Sequence, residues 1–163
     1  MPVATILQAL ESKRRKVVDP QRDPASDPEA RLRAEQAHQA GLEHMRAGRH
    51  ERAAHEFRGA AELQPQSNEY RLYERWCALR ARGELPHPAE LTELRRLASA
   101  AVGADPNLAF GHYVAGDLAV RDGRDREALR SLKRAAKLDP DLLDAQRLIR
   151  VAERRLPPAP GEK

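Results

Sequence analysis

Three groups of residues in this chain have types that can do chemistry. His50, Glu51 and His55 stand together in the stretch HERAAH. A zinc-hydrolase helix carries two histidines four residues apart, on one face, with a glutamate beside the metal. Here the spacing is five, which at about 100° per residue leaves the rings roughly 140° apart around a helix. Two ligands cannot converge on one ion from those positions. The pair reads instead as polar side chains at a turn and the first turn of a helix, and no metal is assigned. The single cysteine, Cys77, excludes an internal disulfide and a multi-cysteine cluster. A small buried thiol fits it better than a nucleophile, because no histidine partner is assured. The 25 carboxylates fall on polar helix faces, in the manner of a solvated surface. With no glycine-rich phosphate loop and no nucleophile elbow, neither an enzyme nor a cofactor is expected.

The elements that would carry such residues are helical. A chain of 163 residues makes one domain, or one domain and a tail. Aromatics are only 4%, and Ala, Leu, Arg and Glu dominate, a composition that favours helix over strand. The opening MPVATILQAL has too short an apolar run to span a membrane. The basic cluster Lys13 to Lys16 follows that run, whereas a secretory signal has its charges first. A soluble, cytoplasmic protein is expected, and the single cysteine fits a reducing compartment. The formal net charge of +4 comes from interleaved charges of both signs, so nucleic-acid binding is not implied.

Residues 40–65 and 115–140 match without a gap. Ala40-Gly41 aligns with Ala115-Gly116, Gly48-Arg49 with Gly123-Arg124, and Ala53 with Ala128. Ala60-Ala61 aligns with Ala135-Ala136, and Leu63 and Pro65 with Leu138 and Pro140. Each copy reads as helix, turn, helix. The glycine ends the first helix in a left-handed conformation, and the proline closes the second. HERAAH is then the inter-helix turn and the start of a second helix.

The pattern resembles the tetratricopeptide repeat, whose signature has small residues in the first helix, an alanine and a bulky residue in the second, and a closing proline. The first copy supplies Ala37, Ala40, Gly41, Ala53, Phe57, Ala60 and Pro65. The last supplies His112, Ala115, Gly116, Ala128, Leu132, Ala135 and Pro140. The match covers about residues 34–140. The resemblance implies an all-α fold, a right-handed superhelix (α-solenoid) of antiparallel helix pairs.

The two copies are 75 residues apart, against about 68 for two ordinary periods. A degenerate third copy with about seven extra residues therefore lies between them. Its first helix begins near Asn68 and ends at Gly83, ELPHP makes an enlarged turn, and its second helix runs from about Ala89 to Val102. With Gly83 as register mark, Leu72, Trp76 and Leu79 face the core; a shift of one residue would put Trp76 in the groove. Residues 141–156 supply a capping helix with Leu142, Ala145, Ile149, Ala152 and Leu156 on one face. The expected division is an N-terminal amphipathic helix and Pro/Asp-rich linker over 1–27, the repeat domain with its cap over 28–156, and a disordered tail over 157–163. In the N-terminal segment Thr5 and Gln8 resemble a capping box, and Ile6, Leu7, Leu10 and Val17 form an apolar stripe.

Stacked helix pairs present their first helices on a concave surface, which holds an extended peptide or a helix. The residues expected on that surface are His38, Leu42, Met45 and Arg46, together with Glu35 and Gln39, in the first copy. The middle copy supplies Tyr70, Tyr73, Cys77 and Arg80, with Glu74. The last supplies Phe110, Tyr113, Asp117 and Arg121, with Val114 and Val120. All three tyrosines and one of two phenylalanines fall there, and aromatics are enriched at binding hot spots. Arg46, Arg80 and Arg121 would steer a segment carrying acidic groups.

Tetratricopeptide domains that hold chaperone tails use a carboxylate clamp of lysines, arginine and asparagines. His38, Leu42, Glu74, Phe110 and Val114 stand at those positions, so the clamp is absent. The mixed apolar groove looks more like the bacterial tetratricopeptide chaperones of type III secretion, and more loosely like tetratricopeptide tails of J-domain proteins; no J-domain motif is present. The expected function is a non-enzymatic adaptor binding a peptide segment of another protein, without membrane attachment. The alternative is an assembly protein that self-associates into a homo-oligomer through residues 1–17.

Overall fold

Helix starts and stops follow from local chemistry. In a computed structural model that describes residues 26–157, Asp27 caps the first helix by accepting from the Glu29 amide at 3.1 Å, and Pro28 occupies its first turn. This helix, α1, is Pro28–Arg46. It ends where Gly48 takes φ 72°, which lets the Arg49 amide reach back to the His44 carbonyl at 2.9 Å. The same exit recurs at Gly123, with φ 71° and the Arg124 amide on the Ala119 carbonyl at 2.9 Å. Both are the left-handed exit that glycine makes inexpensive.

The remaining described helices are α2 His50–Leu63, α3 Asn68–Arg82, α4 Pro88–Ala104, α5 Ala109–Arg121, α6 Asp125–Leu138 and α7 Leu143–Arg155. Among the described residues there is no strand, and no helix is long and apolar enough to cross a membrane. Each helix packs on the next along the chain. Three antiparallel pairs, α1–α2, α3–α4 and α5–α6, therefore stack in order, with α7 covering the last. The N-terminal segment carrying Thr5, Gln8 and the apolar stripe lies outside the described residues.

Small residues set the approach within a pair. A Cβ placed on Gly41 would meet the Phe57 ring at 2.6 Å, and one on Gly116 would meet Leu132 Cγ at 2.5 Å. Neither site has room for a methyl group, so the two glycines hold α1 against α2 and α5 against α6 at equivalent places. In the middle pair, α4 starts at a capping box. The His87 ring accepts from the Ala89 amide at 3.3 Å, and Glu90 accepts from the His87 amide at 2.9 Å. Gly83 has φ 67°. Trp76 is buried beside Leu72, the arrangement that register from Gly83 requires.

Candidate functional site

The opening helices of the pairs, α1, α3 and α5, meet along one side of the stack through aromatic rings. His38 of α1 lies 5.0 Å from both Tyr70 and Tyr73, centroid to centroid, and 5.4 Å from Phe57 of α2. Tyr73 sits between Phe57 at 4.8 Å and Phe110 at 3.8 Å. Trp76 turns its edge to Phe110, Tyr113 and His50. The tyrosines and Phe110 that the sequence placed on one side do converge.

Their state differs from the open groove expected. Tyr73 is 7% exposed, Phe110 and Tyr113 are 4%, and His38 is 6%. Folding has already removed these rings from water, so a partner would find little of them left to cover. Burial pushes the Tyr73 and Tyr113 hydroxyls well above the ordinary tyrosine range. Cys77 has no exposed surface, and burial pushes its thiol up to about 12; it is part of the core and not of the concave surface. Glu74 accepts from Arg58 of α2 at 3.1 Å and so belongs to the α2–α3 seam. Val114 and Val120 are also buried.

What stays accessible lies along the edges of this aromatic floor. Leu42, Met45 and Tyr70 are half-buried, while Arg46, Arg80 and Arg121 are exposed. Each arginine sits in or near the last turn of its helix, where the carbonyl end of the helix dipole favours a cation. Arg80 lies 5.3 Å over the Trp76 ring. Arg121 donates to Asp117 at 3.0 Å, which fixes both on one side of α5.

The opposite edge, at the helix starts, is acidic. Glu35 accepts from the Tyr70 hydroxyl at 3.3 Å and from Gln39 at 2.7 Å. These neighbours and burial push the Tyr70 hydroxyl up, burial first and the Glu35 charge next, to about 12. Glu69 lies 3.7 Å from His38 Nε2. Burial, then the charges of Asp105 and Glu35, hold its carboxyl above the usual range. Burial also holds His38 below its ordinary value, against the opposing pull of Glu35, so the ring itself is neutral at neutral pH. A cavity of about 480 Å³ opens beside these carboxylates, lined by Arg31, Leu32, Glu35, Gln64, Ser67, Glu69 and Tyr70.

The sequence reading passed over Glu69, Gln64 and Asp105. The available signal was positional, since each lies in or beside the turn that leads into a pair-opening helix. Two further recesses lie away from this side: about 790 Å³ between α2 and α3, reaching His44, His55 and Ala78, and about 310 Å³ between α3 and α4, around Leu79, Ala89 and Leu94. Of the histidines in HERAAH, His50 packs edge-on against Trp76 at the start of α2, and His55 is exposed on the same helix.

No protein-family model matches the chain, and no curated protein matches it by sequence. Solved structures do. The TPR domain of Arabidopsis OM64 is similar with a TM-score of 0.54 and 13% identity, over 78% of this chain and 99% of that one. The first TPR of Spaghetti (RPAP3), solved with an HSP90 peptide, gives 0.53 and 13%, over 76% and 93%. The TPR2B domain of yeast Sti1, in a complex with pHsp70, gives 0.52 and 14%, over 77% and 99%. The chain thus has the fold of the tetratricopeptide-repeat domains, three helix pairs and a capping helix stacked as a right-handed α-solenoid.

Proposed function

We propose that this chain is a non-enzymatic interaction module that holds a peptide segment of another protein on the side where α1, α3 and α5 meet. The observation that carries the reading is the division of charge along that side. A rigid aromatic floor runs between an acidic edge, Glu35 and Glu69, and an arginine edge, Arg46, Arg80 and Arg121. Charge of opposite sign on two edges fixes the direction of a bound segment and speeds its encounter. Leu42, Met45 and Tyr70 supply the half-exposed apolar surface between them.

Two supports come from outside this side of the molecule. The Spaghetti domain was solved with the HSP90 peptide SRMEEVD, and the Sti1 domain in its pHsp70 complex; a fold shared with them supports a peptide-holding role. The buried thiol of Cys77 lacks the accessible, anionic setting of a nucleophile. An acidic tail like SRMEEVD would meet Glu35 and Glu69 at one edge, so the preferred segment carries basic residues toward that edge and acidic residues toward the arginines.

The test uses a displayed peptide library selected on the intact chain. Selected sequences should carry the two charge signs at opposite ends. Arg46→Glu with Arg121→Glu, both exposed positions, should weaken their binding at low salt with the helical spectrum unchanged, and the difference should fade as salt rises. If the doubly substituted chain binds the selected peptides at full strength, the binding surface lies elsewhere.

A further inference from the structure

The middle pair is built unlike its neighbours at one end. Seven residues before the exit glycine stand Gly41 and Gly116 in the outer pairs and Trp76 in the middle one, so no missing Cβ draws α3 onto α4. The turn is also longer. Residues 83–87 make five, where residues 47–49 and 122–124 make three in the outer pairs. The recess of about 310 Å³ between α3 and α4 lies beside this turn, with Ala78, Leu79, Ala89 and Leu94 as its apolar lining. Ala78 and Leu79 are only half-buried there, and Ala89 is exposed. The volume stands at the lower limit for a ligand pocket, and it suits an aliphatic side chain better than a whole ligand.

Such a side chain stands next to the recess and does not enter it. Leu85, in the turn, is 95% exposed, against 60% for Leu143 and 59% for Leu32. The turn holds it out. Gly83 takes a left-handed φ of 67°, and Pro86 and Pro88 restrict the backbone on either side of His87. His87 and Glu90 close the capping box, and Arg82 donates to Glu90 across the base of the turn. A leucine carried on so ordered a turn loses little freedom when it is covered. An exposed apolar knob beside an open apolar recess, on one edge of one molecule, is self-complementary, and a two-fold interface uses that arrangement.

The charges agree. Glu84, adjacent to Leu85, is exposed and makes no hydrogen bond or ion pair among the described residues. Arg75, on the wall of the recess, is exposed and makes none either, acting on Glu93 only beyond ion-pair distance. The other rim charges are engaged, Arg82 with Glu90 and Glu93 with Arg96. Knob and recess thus carry unpaired charges of opposite sign. Arg75 lies seven residues back along α3 from Arg82, roughly 10 Å, and it does not meet Glu84 of its own chain.

We propose that this chain forms a two-fold homodimer in which Leu85 of each copy seats in the α3–α4 recess of the other, with Glu84 against Arg75 across the interface. The contact is small, which places the dimer among weak, concentration-dependent assemblies. It lies away from the side where α1, α3 and α5 meet, so it stands whether or not a peptide binds there. For the function proposed above, the consequence is two holding sides per particle, which raises the avidity for a partner that presents its segment twice.

Sedimentation equilibrium of the full chain, over about 5–500 µM, should show monomer and dimer in exchange. Leu85→Ser, at an exposed position, should keep the helical spectrum. It should raise the dimer Kd by about a hundredfold or more, because a two-fold interface loses the buried leucine twice. Arg75→Glu and Glu84→Arg should each weaken the dimer by about tenfold at low salt. The chain carrying both changes should dimerise as the parent does, and so should an equimolar mixture of the two single variants, in which opposite charges meet only between chains. A parent chain that stays monomeric throughout overturns the proposal. So does a dimer that survives Leu85→Ser, which assigns association to another surface, and so does a charge swap that restores nothing.

Discussion

Tyr73 lies flat on Phe110, ring centroids 3.8 Å apart and planes within 5° of each other. The contact joins the opening helix of the middle pair to that of the last, and Phe57 stacks on the other side of Tyr73 at 4.8 Å. These rings form the floor of the proposed binding side, and they also bind the pairs to one another.

Removing Tyr73 should therefore be felt in stability before it is felt in binding. Tyr73→Ala should cost about 3–5 kcal/mol, the range for deleting a buried aromatic. Tyr73→Phe, which keeps the stack, should cost far less. A double-mutant cycle with Phe110→Leu should show a coupling of about 0.5–1.5 kcal/mol. Urea unfolding measures all of these, and Tyr73→Ala with parental stability would contradict the packing described.

Gly41 and Gly116 should each resist a single added methyl group. Gly41→Ala and Gly116→Ala drive a Cβ to 2.6 Å from the Phe57 ring and 2.5 Å from Leu132, and overpacking of this kind costs about 1–3 kcal/mol. Gly59→Ala is the control: it sits in a helix, and a Cβ there meets nothing within 4 Å. Alanine's better helix propensity should make that change neutral or stabilising by up to about 1 kcal/mol.

Cys77 should be inert in the native state. With the thiol pushed up to about 12, its thiolate fraction at pH 8 is on the order of one in ten thousand, and it has no exposed surface. Labelling by a chromogenic disulfide reagent should follow the rate of unfolding and become immediate in denaturant. Fast stoichiometric labelling of the native chain would show that α3 opens far more readily than its packing implies.

The pair His38 and Glu69 should give opposite pH dependences. Burial lowers His38, so the unfolded chain takes up the proton first. The stability held by neutral His38 is complete above its unfolded pKa of about 6.5 and is lost as pH falls through the lowered folded value. Glu69 is raised by burial, Asp105 and Glu35, so its ionised form works against the fold above the raised value and the penalty is relieved as pH falls. The groups facing His38 are Glu35 on its own helix and Glu69, Tyr70 and Tyr73 on α3. Glu69→Gln should raise the melting temperature at pH 7, with the gain vanishing below the ordinary glutamate range. His38→Phe should flatten the fall in stability on the acid side of pH 6.5. Melting curves across pH test both substitutions.

The sequence by itself determined the repeat. Gly48 and Gly123 mark equivalent helix exits, Pro65 and Pro140 equivalent closures, and Gly41 and Gly116 equivalent close approaches. These features were legible because each depends on a few neighbouring residues: a left-handed turn, a missing amide proton, a missing Cβ. The middle pair was readable in outline, with Gly83 marking the end of α3, but the sequence left open whether Trp76 faced core or groove, and the tertiary structure buries it. Periodicity also showed which residues share a side of each helix, and it brought Tyr70, Tyr73, Phe110 and Tyr113 to one surface. It could not show whether that surface stays open. Tyr73 and Phe110 are buried because each is the other's cover, a relation between helices 37 residues apart that no single-helix pattern contains. The acidic edge is of the same kind. Glu35, Glu69 and Asp105 are polar residues in three separate segments, and only the stacking of the pairs brings them close enough for their charges to oppose one another, because Coulomb energy depends on distance through space and not along the chain.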